Sequence, residues 1–262
     1  MPIHANPTIP SMVFTVGSLL IVVGLLIWWL AAKEYRHGPA LPIIFLGTAI
    51  SALVVEPIFD NTLLYWYPPD NNLGVYAAYG RTVPWFVPIG YAWFFGGNAY
   101  VLWRLFQRGL TRIQILGSFG IVVMIDALAT STATWLNISG FYGPQPFLWG
   151  GVNVWFSFAD ATGVIVGATI LYVLAPRLHG WRWLWLLVTP TISYGAVLGA
   201  VCSPVTLGLH SDWTAPSRWI GGAATIALCC IVAYACARIT ERNSTVELLG
   251  TAQAMSDRRI RA

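Results

Sequence analysis

Glu56, Asp60, Asp126 and Asp160 are the residues of this chain best placed to do chemistry. Each lies in an apolar stretch long enough to cross a bilayer, and no Lys, Arg or His stands in the interior of those stretches. A carboxyl group in hydrocarbon is costly, so each must be used, paired or kept protonated. An acid that keeps its proton is a donor, and a neighbouring carboxylate can take a proton back. The chemistry predicted is proton transfer inside a membrane.

The elements that position these acids are membrane helices. The chain is 57% hydrophobic and 9% charged, which excludes a soluble domain of ordinary composition. Seven apolar segments fall at 11–32, 41–66, 82–107, 112–136, 148–176, 180–208 and 215–237, each exceeding the ~20 residues needed to span hydrocarbon. A backbone in lipid must satisfy its own hydrogen bonds, so the segments predict an all-α, polytopic seven-helix bundle over residues 1–239. Residues 240–262 read as a polar cytoplasmic tail, with Arg258, Arg259 and Arg261 as an anionic-lipid contact. Lys33 and Arg36, then Arg104, Arg108 and Arg112, then Arg177 and Arg182 mark one side; Arg238 and Arg242 follow there. The other side has only Arg81 and Arg218, which predicts the amino terminus outside and the carboxyl terminus in the cytoplasm. The predicted location is the cell membrane or an endomembrane. The net charge of +4 serves topology rather than nucleic-acid binding.

In that topology the four acids share a layer from mid-membrane to the outer third, and the inner third has no comparable group. Glu56 and Asp60 are i, i+4 neighbours on one helical face, where like charges one turn apart predict a shared proton. Asp126 heads a stripe with Thr130, Thr134 and Asn137, and Asp160 closes one with Asn153 and Ser157. Such polar stripes face a bundle interior. Pro57 lies between the paired acids and predicts a kink.

The chain holds 14 Trp, 11 Tyr and 12 Phe. Tyr65, Trp66, Trp85, Trp93, Trp135, Trp149, Trp155 and Tyr194 sit at the depth of the acids, where π faces can stabilise a cation. With Asn153 they predict the lining of a substrate pocket, capped by the turn-rich loop Tyr67-Pro68-Pro69-Asp70-Asn71-Asn72. Cys202, Cys229, Cys230 and Cys236 read as packing residues. The four His are scattered over rims and loops, and no metal or other cofactor is expected.

A proton donor, a proton acceptor and an aromatic cavity are the parts needed to cyclise a polyprenyl chain. The segment Glu56-Pro57-Ile58-Phe59-Asp60, with the size and layout of the whole chain, resembles the small integral-membrane terpene cyclases of meroterpenoid and indole-terpenoid pathways. Fungal members place a Trp before that Glu, where this chain has Val55. The resemblance implies an enzyme whose intramembrane Glu and Asp protonate an epoxide or alkene of a prenylated substrate and finish by deprotonation, without metal. The second acid stays open between Asp126 and Asp160. The alternative is a proton-coupled transporter of a small apolar or organic solute. A retinal protein would need a lysine on the last span, and the single lysine, Lys33, lies in a loop. A magnesium-dependent prenyltransferase would need more basic residues beside the acids than Arg81 and Arg218.

Overall fold

The computed structural model describes residues 6–69 and 73–260, with side chains as far as Glu241. The chain is all-α. Among the described residues six helices are long and apolar enough to cross a membrane: Thr8–Ala31, Ala40–Leu63, Arg112–Trp135, Val154–Arg177, Gly180–Val201 and Ala215–Glu241. The first two are α1 and α2; the short helices α3 (Phe86–Tyr91) and α4 (Asn98–Phe106) flank a π-helical segment, Ala92–Gly97. Next come α5 (Arg112–Trp135) and α6 (Val154–Leu174). A 3-10 helix over Gly180–Leu187 then leads into α7 (Thr189–Ala196), a second π segment over Val197–Val201 and α8 (Ser203–Leu209). The last helix, α9, runs from Ala215 to Ile260, so the segment read as a tail continues it. Arg258, Arg259 and Arg261 lie outside the residues whose side chains are described.

Local sequence explains where the long elements begin and end. A capping box opens α5: the Gln114 amide N–H donates to Thr111 Oγ1 and the Thr111 N–H to Gln114 Oε1. Pro57 removes the amide that would bond the Leu53 carbonyl, and the Tyr76 hydroxyl donates to that carbonyl instead. Tyr76 belongs to a hairpin of β2 (Gly74–Ala78) and β3 (Arg81–Pro84), which is thereby docked on α2.

Three spans are shorter at the acid-bearing end than the apolar runs predict. The helix α2 stops at Leu63 because Leu64 turns left-handed, at φ 55°, and its N–H caps the Asp60 carbonyl. The chain then reverses into β1 (Tyr65–Trp66), paired antiparallel with β4 (Gly140–Phe141). Residues 82–85 lie in β3 and its exit rather than in the third span. Residues 148–153 form the hairpin β5 (Leu148–Trp149) to β6 (Val152–Asn153), turned by Gly150 and Gly151 at positive φ. These two-stranded pieces fold over one end of the bundle.

Of the six long helices, α6 is the most buried and α1 the least. At the end away from the hairpins, Glu34 is buried, accepts from the Tyr100 hydroxyl and pairs with Arg104 at 2.6 Å. That end therefore does hold a buried acid, contrary to the sequence expectation. Among the described residues Glu34 is the one of these five acids in a direct salt bridge.

Candidate functional site: an acid cavity walled by aromatics

Glu56, Asp60, Asp126 and Asp160 all line one cavity beneath the hairpins, with a volume of about 110 Å³. Its walls come from α1 (Phe14), α2 (Phe59), the β1 segment (Tyr65, Tyr67), the α3–π run (Phe86, Tyr91, Trp93, Phe95), α5 (Thr130, Ala133), α6 (Phe156) and α7 (Tyr194). Helical spacing accounts for the convergence: i and i+4 on α2 present two acids, and the inner faces of α5 and α6 present one each.

Glu56 is held by two tyrosines. The Tyr67 hydroxyl donates to its Oε1 and the Tyr91 hydroxyl to its Oε2. The two donors stand 11 and 35 positions away in sequence, and the Leu64 reversal carries Tyr67 back over the acid. Burial and the nearby Glu56 charge push the Tyr67 phenol well above its ordinary value, so it stays a donor at neutral pH. Asp60, one turn on, has a buried Oδ2 without a hydrogen-bonding partner among the described residues. Arg81 acts on it electrostatically. This guanidinium is itself buried, donating from Nε to Asn61 Oδ1 at 3.2 Å and lying 5.3 Å from the Tyr142 ring centre. The acids thus do have a cation near them, supplied by β3 rather than by a span.

Across the cavity the Asp126 carboxyl interacts with the Ser157 hydroxyl and with the Asp160 carboxyl. Asp126 Oδ2 is buried and unpartnered among the described residues. Asp160 Oδ1 accepts from the Tyr194 hydroxyl at 2.7 Å. The Tyr194 and Tyr91 rings meet edge to face at 5.5 Å, each hydroxyl donating to a different acid. Each of these tyrosines lies shortly before a π-helical segment, the kind of local widening that often re-aims side chains at functional sites. Among the described residues no three His, Cys, Asp or Glu side chains group as metal ligands would.

The aromatic candidates divide. Tyr65, Trp93 and Tyr194 line the cavity. Trp155 and Trp66 are buried in the packing around it, and Asn153 is buried at the α6 start with its amide donating to Gln145 Oε1 at 3.2 Å. Trp85, Trp135 and Trp149 are directed outward, with Trp85 50% and Trp135 63% exposed, and they do not reach the cavity. The reason is the shortened spans. Trp85 sits on the β3–α3 corner, and Trp135 ends α5, its indole N–H donating to the Gly150 carbonyl at 2.6 Å. Thr130 lines the cavity but spends its hydroxyl on the Asp126 carbonyl, while Asn137 is exposed. Asp70, Asn71 and Asn72 of the expected cap lie outside the described residues; Tyr67 of that loop is the part that closes on Glu56. Tyr91 and Arg81 carried no sequence signal beyond their residue types.

Set beside models of known protein families, curated proteins and solved structures, the chain matches none of them.

Proposed function

We propose that this protein is a membrane-integrated terpene cyclase that protonates an epoxide or alkene of a prenylated substrate and closes rings through carbocations. The observation that carries this reading is the meeting of four carboxyl groups in one aromatic-walled cavity, two of them with an oxygen unpartnered among the described residues. Asp126 and Asp160 face the same buried cavity, where one proton held between neighbouring carboxyls avoids two like charges, so the pair serves as the donor through Asp126 Oδ2, which has no partner among the described residues. Glu56 accepts two phenol hydrogen bonds and still has lone pairs to spare, which suits the final base. Between them the rings of Tyr91, Trp93, Phe95 and Tyr194 offer π faces to the travelling cation. Asp60, one turn from Glu56 and with Arg81 acting on it, presents a further carboxyl to the same cavity.

Size and access agree with a long apolar substrate. A dry cavity of ~150 Å³ holds benzene, so 110 Å³ admits the reacting end of a prenyl chain but not the whole of it. An apolar groove of about 390 Å³ between α1 and α5 shares Phe14, Trp93 and Ala129 with the acid cavity. It opens on the lipid-facing side of the loosely packed α1, so the rest of the chain enters from the bilayer. The segment Phe86–Phe106 supports a seventh crossing, because its α, π and α pieces follow one another without a break and reach ~30 Å at 1.5 Å per residue. With the basic residues on the far side, the acid cavity then lies in the outer half and the amino terminus outside.

A second reading, proton-coupled transport, draws on a smaller cavity that shares Tyr91, Phe95 and Tyr194 with the first and extends along Thr48, Ser51 and Leu186. At about 30 Å³ it admits water rather than an organic solute, which favours the enzyme. The test is Glu56→Gln, assayed in membranes with prenylated phenols bearing a terminal alkene or epoxide. General acid–base help is worth about 10²–10⁴-fold, so cyclised product should fall by that factor with expression unchanged. Unchanged product would remove Glu56 from the chemistry, and solute-driven proton flux into proteoliposomes would favour transport.

A further inference from the structure

We infer that Tyr91 and Tyr194 form a proton relay joining Glu56 to the Asp126–Asp160 pair. The Tyr91 hydroxyl donates to Glu56 Oε2 and the Tyr194 hydroxyl to Asp160 Oδ1, and the two rings meet edge to face at 5.5 Å, so a hydrogen bond from one hydroxyl to the other joins the four oxygens into one line. The line has three contacts but only two phenol protons. With both carboxylates ionised the phenols donate outward, Tyr91 to Glu56 and Tyr194 to Asp160, and the contact between the two hydroxyls holds no proton. One added proton completes all three hydrogen bonds. It can reside at either end, because each phenol both donates and accepts.

The two completed forms interconvert by a concerted shift. With the proton on Glu56, Glu56 donates to Tyr91, Tyr91 to Tyr194 and Tyr194 to the Asp160 carboxylate. Each hydrogen moves across one bond, and the outcome is Asp160 protonated and Glu56 ionised. One O–H bond breaks and one forms at each phenol, no electron pair changes owner, and net charge is conserved. A low-dielectric setting strengthens such a chain through mutual polarisation. Packing holds it in line: the Phe95 ring lies 4.7 Å from that of Tyr91 and 4.3 Å from that of Tyr194. Tyr67 differs. It donates to the other oxygen of Glu56, and its ring packs on Tyr65 and Phe86 rather than leading to a second acid.

The purpose of the relay rests on the cyclisation reading. A cyclase that gives a proton at Asp126 and recovers one at Glu56 ends each turnover with its protons on the wrong sides. The relay returns the recovered proton to Asp160, and so to the donor pair, without bulk water entering a cavity that must shelter a carbocation.

The test needs no substrate. Infrared spectra of the purified full-length protein in lipid nanodiscs, in H₂O and D₂O, report a proton shared along a hydrogen-bonded chain as broad continuum absorbance that shifts on deuteration. The wild type should show it. Tyr91→Phe and Tyr194→Phe should each abolish it and leave a discrete carboxylic-acid band, while Tyr67→Phe should retain it. Either phenylalanine variant makes the cut, so one that fails to fold leaves the other decisive. Absence of the continuum in the wild type, or its survival in Tyr91→Phe or Tyr194→Phe, would overturn the relay. A continuum without cyclised product would instead leave the relay standing and remove the cyclase.

Discussion

What donates to a carboxyl group decides its part in proton chemistry, and Glu56 and Asp60 differ in this although they sit one turn apart. Hydrogen bonds to a charged group are worth about 1.5–3 kcal/mol each, so the Tyr67 and Tyr91 hydroxyls favour Glu56 as an acceptor. Asp126 is placed to donate, and Asp126→Asn should lower turnover by at least the ~10² of lost general-acid help while leaving detergent extraction and thermal unfolding near wild type. Trp85→Phe and Trp135→Phe should leave turnover unchanged, since neither ring reaches the cavity; a large loss in either would put substrate at the hairpin surface. The alkaline limb tests the phenols outside the spans. Burial, then the Glu56 charge, raises Tyr67 well above its ordinary value, and burial likewise raises Tyr76 to about 12. Above pH ~10 the unfolded chain therefore loses protons that the folded chain keeps, so stability is full below that pH and falls above it. Tyr67→Phe should flatten the fall in a urea or thermal titration from pH 8 to 11. The four acids were legible in sequence because a charge in an apolar run needs no alignment to be noticed. Their partners were legible only in part: Tyr194 and the Tyr67 loop were placed at the pocket by depth and turn chemistry, but nothing local ties Tyr67 to Glu56 or distinguishes Tyr91 and Arg81 from belt or turn residues.

At the scale of elements, Pro57 shows how far local rules reach. The missing amide is written in the sequence, but the group that repairs it, the Tyr76 hydroxyl, is set by where the β2–β3 hairpin lands. Tyr76→Phe should cost about 0.5–1.5 kcal/mol, the net worth of one hydrogen bond at a part-buried carbonyl, and should loosen the hairpin in hydrogen exchange. Six of the seven predicted spans, and their order, follow from hydropathy. The outer ends do not, because Leu64 and the Gly150–Gly151 turn divert apolar residues into strands that hydropathy cannot tell from helix. Gly163 gives a sharper prediction. A Cβ there would come within 2.8 Å of Tyr194 Cδ2, so Gly163→Ala should displace the ring that bonds Asp160 and reduce turnover without touching an acid. The groove between α1 and α5 can be tested by filling it. Gly17→Trp should raise KM for long prenyl chains more than for short ones, and equal effects on both would argue against this route.

For the molecule as a whole, charge and cavity point the same way. The basic residues gather at the end opposite the hairpins, where Arg104 neutralises Glu34, and the remaining buried acids gather at the hairpin end with Arg81 at their edge. A protease-accessible tag should therefore be cut from outside at the amino terminus and from the cytosol at the carboxyl terminus. The reverse pattern would move the acid cavity to the cytoplasmic half. The central claim is that carboxyl protons, not a metal, start ring closure in this cavity. The measurement that tests it most directly is formation of a cyclic isomer from a terminally epoxidised prenyl phenol, by wild-type and Asp126→Asn membranes, with EDTA present throughout. The account predicts cyclic product from the wild type at undiminished rate in EDTA and at least a ~10²-fold loss in the variant. Product that disappears in EDTA and returns with Mg²⁺, or that Asp126→Asn forms as fast as the wild type, would contradict it.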